Sequence, residues 1–60
     1  MNIEEWLDNN NKTQMWLADQ LGVTRAAVSA WVTGIARPRP AMAIRIIALC
    51  DGVTMAAIYG

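Results

Sequence analysis

The chain has no histidine, no phenylalanine and a single cysteine among its 60 residues. One cysteine closes no internal disulfide, which fits a reducing compartment. Without histidine, one thiol and scattered carboxylates form no metal-ligand cluster. They also supply no nucleophile with a base beside it, so the sequence disfavours an enzyme and implies no cofactor. No apolar run approaches roughly 18 residues, so no transmembrane helix is expected. The opening MNIEEW is acidic rather than basic, which argues against a signal peptide. No low-complexity tract, internal repeat or strand-like alternation is visible, so residues 1–60 are expected to form one all-α domain.

Net charge is lacking too, with five basic and five acidic residues. Zero charge speaks at first against a polyanionic partner. The distribution speaks for one. Residues 1–23 hold Glu4, Glu5, Asp8 and Asp19 against Lys12, a balance of −3. Residues 24–60 hold Arg25, Arg37, Arg39 and Arg45 against Asp51, a balance of +3. Arginine supplies every positive charge in that half, and its fork suits phosphate and base edges better than lysine does. What is abundant is apolar surface, 55% of residues. A domain this small buries only about 60% of its unfolded surface. The excess suggests a second buried face, most simply against a partner subunit.

Five short helices can be read along the chain. Asn2 caps the first, from Ile3 to about Asn9 or Asn10, with Glu5 in capping-box spacing and Ile3, Trp6 and Leu7 on one face. Asn9, Asn10 and Asn11 break it. Thr13 caps a second helix from Gln14 to Gln20, with Leu17, Ala18 and Leu21 buried. Gly22 ends it in the left-handed region and Val23 closes the turn. Thr24 caps a third helix from Arg25 to Val32 or Thr33, with Ala27, Val28 and Trp31 inward and Gly34 at its end. Pro40 opens a fourth, apolar almost all round, that runs to about Cys50. Cys50 is expected to be a small buried hydrophobe. Asp51-Gly52 ends that helix, and Thr54 caps a last turn from Met55 to Ile58 or Tyr59.

The stretch TQMWLADQLGVTRAAVSAWVTG, residues 13–34, is thus two helices around a tight turn, with Arg25, Ala26, Ser29 and Ala30 facing outward. Such a strip suits the DNA major groove. Ala18, Gly22, Val23, Val28 and Trp31 stand in the spacing of the helix-turn-helix of phage Cro proteins and repressor N-terminal domains, which the chain resembles over nearly its whole length. The resemblance, of the XRE type, implies a compact five-helix lambda-repressor-like domain. Some Cro proteins end in a hairpin, but Met55-Ala56-Ala57-Ile58 argues for the helical kind. Two positions depart from the pattern. Trp16 stands where relatives carry a polar residue; it could fold over the first helix or the neighbouring loop, or mark a contact. Asp51 stands where many relatives carry leucine.

The outward strip gives the base-contact set: Arg25 for a guanine edge, Ala26 and Ala30 for close approach and thymine methyls, Ser29 for a base or phosphate. For each, a solvated or purely helix-forming role is the alternative. The backbone set is Lys12, Thr13, Gln14, Thr24, Arg37 and Arg39. A glutamine at the position of Gln14 contacts the DNA backbone in related repressors. Ile47, Met55, Ile58 and Tyr59 are the expected dimer face. The first functional reading is a small Cro-like repressor that binds a palindromic operator on double-stranded DNA as a weak homodimer. It would need no small-molecule effector and no membrane, and would act in the cytoplasm of a bacterial cell or of a phage-infected or lysogenic host. The alternatives are a DNA-binding antitoxin, whose apolar C-terminal helices bind another protein, and an interaction module with no DNA role.

Overall fold

The first three helices each begin on a polar side chain that accepts the N–H group three residues on. The computed structural model describes residues 1–59. In α1 (Ile3–Asn9), Asn2 Oδ1 accepts from the Glu5 N–H at 2.8 Å and Glu5 Oε1 accepts in return from the Asn2 N–H at 3.1 Å. In α2 (Gln14–Leu21), the Thr13 hydroxyl accepts from the Trp16 N–H at 3.0 Å. In α3 (Arg25–Thr33), the Thr24 hydroxyl accepts from the Ala27 N–H at 3.1 Å. α4 (Pro40–Leu49) has no side-chain cap and starts on its proline instead. α5 (Met55–Tyr59) starts on Thr54, whose hydroxyl accepts from the Ala57 N–H at 3.1 Å. Each threonine or asparagine cap contributes about 1 kcal/mol. Helices this short would not persist alone, so caps and packing together sustain them. No strand occurs among the described residues, and the all-α expectation holds.

The helix ends follow the sequence with small differences. Asn10 folds its amide back to donate to the Trp6 carbonyl at 2.8 Å, and Asn11 takes φ 55° to turn the chain. Asparagine is among the few non-glycine residues that adopt this geometry readily. α2 continues one residue past Gln20 to Leu21. Gly22 then has φ 71°, and the Val23 N–H donates to the Ala18 carbonyl at 3.0 Å. A Cβ at Gly22 would meet nothing within 4 Å, so backbone conformation and not space demands glycine there. α4 stops at Leu49, and the Cys50 N–H closes its last turn on the Ile46 carbonyl at 2.7 Å.

The core gathers Ile3, Trp6 and Leu7 of α1 with Leu17, Ala18 and Leu21 of α2. Val28 of α3 and Ala43 and Ile46 of α4 complete its centre, with Cys50 and Val53 beside them. Two expectations need correction. Trp31 is only half-buried: it packs on the edge of the core rather than within it. Ile58 is 7% exposed and belongs to the core of the single chain, so it offers no free dimer face. The corner after Cys50 turns α5 back far enough to insert Ile58, and its short length leaves Met55 and Tyr59 outside. Cys50 is a fully buried thiol, and desolvation pushes its pKa up to about 11.

Three long-range hydrogen bonds tie the fold together, the first from the Met1 ammonium to the Gly52 carbonyl at 3.0 Å. Arg45 donates to the Leu21 carbonyl at 3.2 Å, placing a cation at the negative end of α2. The Tyr59 hydroxyl donates to the Pro38 carbonyl at 2.6 Å. Among the described residues, no helix is long and apolar enough to cross a membrane.

Candidate nucleic-acid interface

The turn between α2 and α3 is built from a left-handed glycine, an apolar contact and a threonine cap. Gly22 reverses the chain, Val23 packs its side chain against the core, and Thr24 opens α3 at once. α2 and α3 make the most extensive helix pair in the protein. Val28 is fully buried and fixes the roll of α3. With that roll, Arg25 and Ala26 are exposed, and Ser29 and Ala30 are half-buried. The strip expected to face outward is therefore most open at its N-terminal end. Ala27, expected inward, is half-buried.

The six residues expected against a DNA backbone fall into three groups. Lys12, Thr13 and Gln14 lead into α2, with the first two exposed and Gln14 half-buried. Thr24 leads into α3 and is exposed. Both threonine hydroxyls accept cap bonds, which leaves each O–H proton available to donate outward. Arg37 and Arg39 lie in the loop before α4 and are exposed, but they differ in kind. Arg37 folds back: its Nη1 donates to the Gly34 carbonyl at 3.0 Å and the Ala36 carbonyl at 3.4 Å, capping the negative end of α3. Arg39 is the N-cap residue of α4, with no side-chain cap bond.

Trp16 lies over the first helix. Its ring stacks on Trp6 with centroids 5.8 Å apart and planes 22° from parallel. The Lys12 ammonium sits over the same ring, 5.0 Å from its centroid. The spacing of Trp16 outside the Leu17 and Leu21 face signalled an unusual position. Folding over the first helix was one of the readings open for it, but nothing local singled out Trp6 as the residue it meets there. The Arg45 bond to Leu21 has no local signature either.

Of the residues expected at a dimer face, Met55 is 39% and Tyr59 41% exposed, and Ile47 is half-buried against the core. Ile44 is more open than any of these, at 61%. Ile35, in the loop after α3, is 84% exposed and was not expected to be functional.

The helix-turn-helix family profile matches residues 3–58, from the start of α1 to the buried Ile58. The chain belongs to the helix-turn-helix family. No curated protein and no solved structure matches it. As a Cro- and phage-repressor-like helix-turn-helix domain of XRE type, it binds double-stranded DNA sequence-specifically. That family is regulatory, and its members are typically not enzymes. In this class of domain the second helix of the motif enters the major groove, and α3 is the second helix here.

Proposed function

We propose that this helix-turn-helix domain is a small Cro-like transcriptional repressor that occupies a palindromic operator as a weak dimer. The observation that carries the reading is the roll of α3. Val28 is locked in the core while Arg25 and Ala26 stand free at the helix start. A rigid helix with an exposed arginine in its first turn suits bidentate contact with guanine O6 and N7. Ala26 and Ala30 keep the helix close to the groove floor and can touch thymine methyls; Ser29 donates to a base or phosphate. Lys12, Thr13, Gln14, Thr24 and Arg39 hold the sugar–phosphate backbone, with the first turn of α2 offering N–H groups that have no intrahelical acceptor. Arg37 acts on the backbone mainly by shaping its loop.

The dimer reading rests on apolar side chains that the chain leaves uncovered. Ile44, Met55 and Tyr59 are all exposed, and Ile47, three positions after Ile44, is half-buried. Such surface favours a partner, and a second copy would present two recognition helices about 34 Å apart. The interface would be small, so assembly would be weak in solution and completed on DNA. Repression would follow from occupancy, without an effector, in the cytoplasm of a bacterial cell or phage-infected host.

Selection from a random duplex pool tests the whole reading. The expected product is an inverted repeat with half-sites one helical turn apart. Enrichment of a single half-site, with a chain that stays monomeric on it, would overturn the dimer. The exposed apolar side chains would then belong to a contact with a different protein, as in an antitoxin.

A further inference from the structure

We propose that Trp16 is a positioning residue for DNA binding, acting through Lys12. The proposal rests on the reading of Lys12 as a backbone contact.

Three observations carry it. Trp16 is half-buried and Lys12 exposed, so the ring lies partly within the fold while the lysine stays at the surface. The anchor is Trp6, a core residue of α1, stacked on Trp16 at 5.8 Å. The ammonium lies 5.0 Å over the Trp16 ring, attracted by its negative face. The backbone beneath is equally fixed: the Lys12 N–H donates to the Leu7 carbonyl at 2.9 Å, and the Trp16 N–H is held by the Thr13 hydroxyl.

The consequence follows from side-chain entropy. A free lysine samples many rotamers and loses that freedom when it meets a phosphate. Held over the ring, Lys12 has already lost much of it. An ammonium has three donors, and the ring engages one side only. The other donors remain free, and Lys12 is exposed and adjoins Thr13 and Gln14 at the start of α2. Trp16 thus pre-orders a cation at the place where a phosphate is expected. It also fills a surface position with a large aromatic ring, which solvation alone would not favour.

A double-mutant cycle on a random-sequence duplex tests this, with affinity read by anisotropy across a salt series. Lys12→Ala should weaken binding and flatten the log–log salt slope by about one. Trp16→Leu should weaken binding about two- to fivefold while Lys12 is present. It should change nothing further in the Lys12→Ala background. Trp16→Phe keeps a ring on Trp6 and should recover most of the loss; if Trp16→Leu does not fold, the same cycle is run with Trp16→Phe, where a smaller Lys12-dependent loss is expected. Equal weakening by the Trp16 change in both backgrounds would make Trp16 merely structural and overturn the proposal. A Lys12→Ala variant with unchanged affinity and salt slope would overturn it too, while leaving the recognition helix intact as the DNA reader. If the unmutated chain ignores duplex DNA at every salt concentration, the backbone-contact reading itself fails, and the proposal with it.

Discussion

The Tyr59 hydroxyl donates to the Pro38 carbonyl at 2.6 Å across 21 positions of sequence. This bond joins the last described helix to the loop that carries Arg37 and Arg39. Pro38 is buried between those two exposed arginines, and the tyrosine hydroxyl pins the loop there. Tyr59→Phe keeps the ring and removes the donor. It should lower stability by about 0.5–1.5 kcal/mol, read from urea midpoints. An unchanged midpoint would mean that water replaces the hydroxyl without loss.

Arg25 and the loop arginines should be separable by specificity. Arg25→Ala should relax preference at one base pair per half-site, by about 1–3 kcal/mol at the preferred base, with little change on random DNA. Uniform weakening on all sequences would demote Arg25 to a phosphate contact.

Arg37 and Arg39 should not behave alike. Arg39→Ala should weaken specific and random DNA equally and flatten the salt slope by about one. Arg37 spends its guanidinium on the Gly34 and Ala36 carbonyls. Arg37→Ala should therefore lower thermal stability more clearly than it changes the salt slope. A slope change equal to that of Arg39→Ala would show that Arg37 leaves the end of α3 to reach the phosphates.

Ile58 and Ile44 make a matched pair for the apolar surface. Ile58 is 7% exposed and Ile44 61%. Ile58→Glu puts a carboxylate into the core and should cost about 3 kcal/mol or more, enough to unfold much of so small a domain. Ile44→Glu should leave the unfolding midpoint almost unchanged and should weaken self-association and cooperative operator binding. Sedimentation and circular dichroism on both variants decide it. Loss of fold in Ile44→Glu, or its intact self-association, would remove Ile44 from the interface.

Cys50 should make the fold less stable in alkali. Burial raises its thiol from the usual 9.0 to about 11. Below the lower value both folded and unfolded chains keep the proton. As pH rises between the two values, only the unfolded chain releases it, so stability falls through that window and levels off above about 11. Cys50→Ala should be less stable at neutral pH because it leaves a small cavity, yet its stability should decline less from pH 9 to 11. Urea midpoints of the two proteins across that range test this, and parallel curves would rule the thiol out as the cause.

The local rules of the chain were enough for the helices and the motif. Asn2, Thr13, Thr24 and Thr54 cap because their side chains reach the amide three residues on, an interaction that needs no tertiary partner. Gly22 and Gly34 adopt positive φ for a reason just as local, the absence of a Cβ. The apolar periodicity of α1 and α2 named their buried faces, because helical geometry alone converts spacing into direction. α4 could not be read this way. Apolar residues surround it, so nothing in the sequence chose Ala43 and Ile46 as the inner face over Ile44. That choice came from how α4 lies on its neighbours. The same is true of Ile58 entering the core, of Arg37 turning back on α3, and of Trp16 finding Trp6. Each depends on the position of an element distant in sequence or on a loop path, and short-range propensity carries no information about either. Sequence by itself thus determined which segments are helices and which residues open the recognition helix. Only tertiary packing decided which apolar residues remain outside and which cations are free, because burial is a property of the assembled helices and not of any one of them.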